Sequence, residues 1–555
     1  MKKLLALALT LMMVLGLLAA CGGDSSSSST GSQGGQSQTD SGSVAEPEDD
    51  KYYNESGLPI VKEPITINVV GWKDGGATEW NDLILFQRAE ESTGIHFEFE
   101  LYDDETVYYD KMNLGITTGD YPDVYMRKMS VQAEETNGME GTFIDLTDLI
   151  ANHMPNLSKL MEEDAYLKAA MTAGDGKIYS LPYYYKTVGG NPHQMFMFEG
   201  WLNEAGWTEL PTTVDEFYDL LVDLDKLDIN GNGDPSDDIA LGAWDVSLLQ
   251  KFLIPAFTGY TNGFNFDLNE ETGEVVFVPL ETGYREFLEY THKLYAEKLL
   301  DQEIYTQSVD QWLAKLKENR LACFNASPTA TDAEKANGKA LSFLPLTSDT
   351  NPNPVTESMP FLATGAAVIT DKCEYPEAVA RWFDMFYARD DESMDGLNGR
   401  TLHAGWLGEH WFIVDEEETQ YKWNDEIIAD PTYVNAQLTV NMWLPSYLDF
   451  QFMPTSNQLF MDKVEGVMNN QVPYMRRGLP VSHMRLTTDE MEVRNRVAAE
   501  AETYAKQMTA QFITGVLEIN DANWNTFVST FETMGVQDLI DTYQVAYERF
   551  DAASN

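Results

Sequence analysis

Between residues 63 and 126 the apolar side chains recur with period two, then at helical spacing, then with period two again, and this alternation restricts the chain to an α/β architecture. Ile65, Ile67 and Val69 alternate with polar neighbours, and Trp80 to Glu91 has helical spacing with Gly94 as its stop. Ile95, Phe97, Phe99 and Leu101 then alternate with His96, Glu98 and Glu100. Strand, helix, strand is the expected order. A further helix over about 104–117 leads through the turn at Pro122 into Val124-Tyr125-Met126, so the opening region reads as a largely parallel sheet.

Ahead of it, Lys2 and Lys3 precede an uncharged apolar run from Leu4 to Leu18, followed by Ala19, Ala20 and Cys21. This is a signal peptide, 1–20, and its run is shorter than the roughly 20 residues needed to span a bilayer. The string Leu18-Ala19-Ala20-Cys21 resembles the lipobox of bacterial lipoproteins. That resemblance implies that Cys21 becomes the first mature residue and carries a diacylglyceryl group and usually an N-acyl chain. Two or more chains give stable anchoring where one does not. Residues 22–62 are rich in Gly, Ser, Gln, Asp and Glu and nearly devoid of apolar side chains, which makes them a flexible tether. The expected location is the extracellular face of the cytoplasmic membrane of a bacterium, of Gram-positive type.

With 43% apolar residues and no low-complexity stretch beyond the tether, the remainder suffices for two large lobes. A formal charge of −54 disfavours nucleic acid and anionic lipid surfaces as partners, because both require clustered Lys and Arg. Besides Cys21 only Cys323 and Cys373 are present, either bridged to each other or free. There is no Gly-x-Ser-x-Gly elbow, His-Glu-x-x-His helix, phosphate loop or complete dinucleotide fingerprint. With 90 acidic residues, a pair of carboxylates can be drawn almost anywhere and carries no information. The helix from Pro376, with Trp382, Phe383, Phe386 and Tyr387, reads as packing.

Phe143-Ile144-Asp145-Leu146-Thr147, followed by Asp175-Gly176-Lys177-Ile178-Tyr179-Ser180-Leu181-Pro182, resembles extracellular solute-binding lipoproteins of bacterial ABC transporters, in the oligosaccharide-binding branch common in Gram-positive bacteria. Gly119-Asp120-Tyr121-Pro122-Asp123, Leu210-Pro211-Thr212-Thr213-Val214-Asp215-Glu216, Leu294 to Asp301 and Phe512-Ile513-Thr514-Gly515 fit the same pattern in order and spacing. Phe198-Glu199-Gly200 depart from it, where relatives usually show a basic residue and Asp, so no ligand contact is carried over there. The resemblance implies a type II periplasmic-binding-protein-like fold of two lobes, with a hinge crossed more than once and the solute held in the cleft. The expected boundaries are 63–188 plus about 361–440 for the first lobe, and 189–360 plus about 441–555 for the second. It also implies a monomer that passes an oligosaccharide, or another small polar solute, to permease subunits energised by a separate ATPase. The alternative is a membrane-anchored extracellular glycan-degrading enzyme.

Asp228-Ile229-Asn230-Gly231-Asn232-Gly233-Asp234 places oxygen side chains at alternate positions with Gly at the sixth, as in the opening of a calcium loop. The twelfth position is Ile239, and acids stand instead at Asp237 and Asp238. That variant resembles the compact calcium loop of these binding proteins. It implies a structural calcium held by Asp228, Asn230, Asn232, Asp237 and Asp238, with Asp234 giving its carbonyl. The alternative is a turn without metal. For a sugar, flat rings with polar edges are needed, and 12 Trp and 27 Tyr supply candidates. Trp72 and Asp74 stand where the first strand runs out, Tyr183, Tyr184 and Tyr185 near the expected lobe crossing, and Trp244 and Asp245 after the strand following the calcium loop. Trp406 and Trp443 complete the set, each with packing in a lobe core as the alternative.

Overall fold

The computed structural model describes residues 51–554 apart from 74–76, 128, 186–193, 263–264, 327–337, 358–360, 390–391, 416–419, 431, 441–442, 449–452 and 455–464. Cys21 and Asp74 therefore lie outside the described residues. Ile65–Trp72 and Ile95–Tyr102 pair in parallel over their full lengths, from Ile65↔Ile95 to Trp72↔Tyr102. The crossover between them is the helix Ile84–Thr93, preceded by a 3-10 turn at Trp80–Asp82. Gly94 ends that helix at φ 77°, and a Cβ there would lie 2.9 Å from Val61 Cγ2, so glycine is required for both the turn and the close approach.

Val124–Met126 adds in parallel on the other side of Ile65–Trp72. The next strand, Phe361–Ile369, runs antiparallel to Val124–Met126 and also to Leu181–Tyr185, and Ser446–Leu448 closes the sheet in parallel with Leu181–Tyr185. The first sheet thus has six strands and is parallel except at the central Phe361–Ile369. That strand returns the chain to the sheet that Leu181–Tyr185 had left. Ile67, Val69, Ile95 and Phe97 point into a core also built by the helix Pro376–Asp384, which begins with Pro at its first turn. From this helix Trp382 reaches Phe97 at 4.5 Å between ring centroids and Phe386 at 4.9 Å, and it stacks on Phe86 at 6.2 Å.

The second sheet has four strands, in the order Ala340–Ser342, Gln194–Phe198, Leu321–Ala326, Ile239–Gly242. Gln194–Phe198 is antiparallel to both neighbours, whereas Ile239–Gly242 and Leu321–Ala326 are parallel. The amphipathic helix Val214–Leu224 carries a reciprocal cap between Thr213 and Glu216 and buries Phe217, Leu220, Leu221 and Leu224. The chain passes from the first sheet to the second between Tyr185 and Gln194, and back between Ser342 and Phe361. Its last strand in the first sheet is Ser446–Leu448.

Afterwards the long helix Thr488–Ile513 packs on Tyr284–Ala296, where the hydroxyls of Tyr284 and Thr509 are 2.9 Å apart. The final helix Val536–Ser554 packs on Ala165–Met171. Cys323 is buried in the second sheet and Cys373 is half-buried beyond Phe361–Ile369; both are free thiols, which settles the pairing left open by their number. Replacing Trp382 by Ala removes a fully buried ring and is expected to destabilise the protein by about 3–5 kcal/mol, read by chemical denaturation.

Candidate functional site

Parallel strands end at a common edge, and in open α/β sheets that edge is where small molecules bind. In the first sheet, Ile65–Trp72 ends at Trp72 and Val124–Met126 runs into Arg127. The two residues clasp each other. The Arg127 guanidinium lies 4.2 Å over the Trp72 ring, Trp72 Nε1 donates to the Arg127 carbonyl at 3.0 Å, and Arg127 Nη1 donates to the Trp72 carbonyl at 3.1 Å. Arg127 has φ 71°, an uncommon backbone for a residue with a Cβ. It is fixed there by its N–H donating to the Ala366 carbonyl at 2.8 Å, while the Met129 N–H donates to Gly365 O at 2.7 Å. Those carbonyls lie where the register of Phe361–Ile369 shifts between Ala363 and Ala367. Lys73 is buried and pairs with Asp103 at 2.6 Å and Glu79 at 3.3 Å; the Asp103 hydrogen bond holds its pKa above the ordinary value.

The strand Leu181–Tyr185 separates its three tyrosines by the period of a pleat. Tyr184 turns into the main core and donates to Asp164 Oδ2 at 2.6 Å. Tyr183 and Tyr185 face the other side, stacked with centroids 6.5 Å apart. Trp443, at 5.8 Å, and His403, at 5.6 Å, complete an aromatic group around Tyr183 over Ala366 and Leu448. Burial pushes the Tyr183 phenol well above its usual range, so this group is neutral at physiological pH. Tyr421, raised by burial and by the neighbouring Tyr185, extends the aromatic surface toward Trp411 and Trp423. Trp406 stands in a separate cluster with Ile84, Tyr433 and Leu438, under the Arg88 guanidinium at 4.3 Å.

At the matching edge of the second sheet, the Trp244 N–H donates to Asn325 Oδ1 at 2.9 Å, and its ring meets Trp312 edge-on at 5.8 Å. Asp245 is exposed and caps the helix Val246–Thr258, accepting from the Ser247 N–H at 2.6 Å. Asn325 is fully buried, and among the described residues neither its Nδ2 nor Trp312 Nε1 meets an acceptor. Arg127, His403, Asn325 and Trp312 escaped the sequence reading. Arg127 and Asn325 were findable by the strand-end rule that singled out Trp72. His403 and Trp312 lie on helices and had no such signal.

In the loop after Val214–Leu224, Asp228 accepts from the N–H groups of Asn232 (3.1 Å) and Gly233 (2.7 Å), Asn230 Oδ1 accepts from Asn232 N–H at 2.9 Å, and Asn232 Oδ1 accepts from Asp234 N–H at 2.7 Å. The side-chain amides of Asn230 and Asn232 donate to Asp237 at 3.2 and 3.1 Å. Asp238 accepts from Ile229 N–H at 2.7 Å through one oxygen, while its other oxygen, Oδ1, is buried without a partner. Burial, with Asp237 and Asp228 nearby, pushes the Asp238 carboxyl up to about 6. No group of three His, Cys, Asp or Glu among the described residues is arranged to hold a metal. The orphaned Asp238 oxygen and the hard oxygen donors around it nevertheless fit a calcium ion in chemical type.

Two α/β sheets exchanging the chain more than once, with aromatic strand ends on each, define a solute-binding protein. Residues 85–395, over half the chain, match the profile of bacterial extracellular solute-binding proteins, and the chain belongs to that family. The fructooligosaccharide ABC transporter substrate-binding protein FusA of Streptococcus pneumoniae is 25% identical over 496 residues, covering 86% of this chain and 88% of FusA. The solved structure of FusA in complex with kestose superposes with a TM-score of 0.71 at 22% identity, covering 88% of this chain and 100% of that one. An HMO-binding, ABC-transporter-associated solute-binding protein of Bifidobacterium longum infantis superposes with a TM-score of 0.73 at 16% identity, covering 88% and 99%. These likenesses establish the two-lobe fold, and the family is one of binding proteins, not enzymes.

Proposed function

We propose that this protein is the lipid-anchored capture subunit of an ABC importer, and that it closes two lobes around an oligosaccharide without altering it. The observation that carries this reading is the neutral aromatic group at the strand ends of the first sheet, Trp72 on one side of the Gly365–Ala366 carbonyls and Tyr183, Tyr185 and Trp443 on the other. Aromatic faces cover the C–H side of a sugar ring, and the buried, acceptor-less N–H groups of Asn325 and Trp312 suit its hydroxyl oxygens. FusA, similar over most of both chains, carries fructooligosaccharide in its name. The first lobe takes the six-stranded sheet, including Ser446–Leu448, and the second takes the four-stranded sheet with the helices from Thr488 onward. Asp245 and Trp406 stay in the proposed set as rim positions, and Asp74, outside the described residues, stays in it on its sequence position alone. Cys21 carries the lipid anchor on the extracellular face, and the protein acts as a monomer with separate permease and ATPase subunits.

The loop from Asp228 to Asp238 holds a structural calcium through Asp228, Asn230, Asn232, Asp237, Asp238 and the Asp234 carbonyl. The ion supplies charge neutralisation and ties the helix Val214–Leu224 to the strand Ile239–Gly242.

The test is a thermal-shift screen of the soluble mature chain, Cys21→Ala, against a glycan panel that includes fructans, with product analysis on every hit. Stabilisation with intact glycan supports capture, and shortened products refute it. Trp72→Ala is expected to weaken binding by about tenfold or more, with only a small fall in melting temperature, measured by calorimetry and thermal melts. A calcium chelator is expected to lower the melting temperature and added calcium to restore it, by about 2–3 kcal/mol of stability at calcium a hundredfold above Kd. An unchanged melt would refute the calcium.

A further inference from the structure

A two-lobe clamp bends at the segments that cross between its sheets, and residues 475–487 are one such segment, fastened at both ends. At the first end Met475–Arg476 pairs in parallel with Thr356–Glu357, part of the stretch that returns the chain to the six-stranded sheet. Arg476 Nη2 donates to Asp267 Oδ2 at 2.8 Å, and Leu479 N–H donates to Asp267 Oδ1 at 3.0 Å. Asp267 is fully buried in the hairpin Phe266–Asn269/Glu274–Phe277, between helices Val246–Thr258 and Tyr284–Ala296 in the chain.

At the other end His483 and Arg485 dock on elements of the first sheet. His483 Nε2 lies 2.9 Å from the Leu362 carbonyl, which can only accept, so Nε2 carries the proton and Nδ1 accepts from the Tyr166 hydroxyl at 2.6 Å. Arg485 Nε donates to Ala170 O at 2.7 Å, and its Nη2 donates to the Glu134 oxygens at 3.0 and 3.2 Å. Thr364 Oγ1 also donates to Glu134, at 3.2 Å. The adjacent Glu135 stands 3.9 Å from Arg485 Nη1, beyond hydrogen-bonding distance, and among the described residues the Leu486 amide approaches it without making a well-formed hydrogen bond. Both glutamates, on the helix Val131–Met139, are fully buried. One guanidinium therefore faces two carboxylates in a dry site and bonds only one of them, so the second is held most comfortably as the neutral acid.

We propose that Glu135 is a proton-sensitive latch on this hinge: protonated, it lets residues 483–487 dock against the first lobe, and ionised, it loosens that docking and weakens closure on the solute. Burial pushes its carboxyl up to about 7. Arg485 pulls it down, Glu134 pushes it up, and Arg494 and the Leu486 amide pull it down; Arg549 faces it from the last helix. A cavity of about 450 Å³ lined by Lys168, Gly174, Arg485, Arg549 and Phe550 opens on Arg485. The folded value lies above the ordinary 4.5, so docking is fully favoured below that pH and is lost as pH rises through about 7. His483 acts in a lower window. Burial lowers it from 6.5 to about 4, so docked it is neutral throughout pH 6.5 to 8.5, and the protonation that the undocked ring retains near pH 6.5 acts in the opposite direction and is common to the parent and the Glu135 variants.

The test compares the mature chain, Cys21→Ala, with its Glu135→Gln and Glu135→Met variants at pH 6.5 and 8.5. Small-angle scattering of the ligand-free protein gives the radius of gyration, and calorimetry gives the affinity for a glycan found in the screen. The affinity arm rests on the capture function proposed above, whereas the scattering arm does not. The parent protein is expected to bind about three- to tenfold more weakly at pH 8.5 and to expand, while both variants stay nearly flat. Should no glycan bind, the capture reading fails and the scattering alone decides the latch. Should Glu135→Gln not fold, the apolar Glu135→Met, which leaves no polar group to satisfy, replaces it. Parallel pH profiles in the parent and a folded variant overturn the proposal.

Discussion

The strand Phe361–Ile369 hydrogen-bonds on one side to Val124–Met126 and on the other to Leu181–Tyr185, and without it the first sheet would be two unconnected fragments. It is also the strand whose register slips between Ala363 and Ala367. That slip frees the Gly365 and Ala366 carbonyls to take the N–H groups of Met129 and Arg127, which fixes Arg127 over Trp72. Gly365 has no alternative, since a Cβ would lie 2.6 Å from the Met129 carbonyl. A segment that enters the sheet some 175 residues after the strand beside it thus sets the geometry of both halves of the candidate site.

This arrangement explains why the aromatic residues divide as they do. A pleated strand sends alternate side chains to opposite faces, so Tyr184 is committed to the core while Tyr183 and Tyr185 are left beside Trp443 and His403. On the second sheet the same rule brings Trp244 and Asn325 together at neighbouring strand ends. Near the site the Lys73 charge is paired with Asp103 and Glu79, and the Arg127 guanidinium is spread over the Trp72 ring. A neutral aromatic surface in a chain of −54 formal charge selects for shape and C–H contact instead of ionic attraction.

Part of the site was legible in one dimension because the strand-end rule needs only the place where a periodic run stops. It pointed to Trp72 and Trp244, and, applied to Val124–Met126 and Leu321–Ala326, it also reaches Arg127 and Asn325, whereas the Tyr183–Tyr185 run was proposed from the expected lobe crossing. Trp406 shows the limit of residue type as a guide. An indole next to glycine looks the same in sequence whether it lies deep in a core or, as here, half-buried beneath Arg88 with Ile84 and Leu438. Trp443 carried the weakest signal and is the one that meets Tyr183, across a separation of 260 residues that no local pattern records.

Local periodicity and backbone preference suffice to read the alternation of strands and helices, the stops at Gly94 and Pro122 and the oxygen spacing from Asp228 to Asp238 from the chain alone, and summed charge suffices to disfavour nucleic acid as a partner. The antiparallel run of Phe361–Ile369 in the middle of the first sheet, the separation of Cys323 from Cys373 and the meeting of Arg485 with two buried glutamates come from packing between distant segments. The reason is that strand order, thiol distance and the solvation of a carboxylate are set by which distant segments share a dry interior, and that is a property of the packed chain alone.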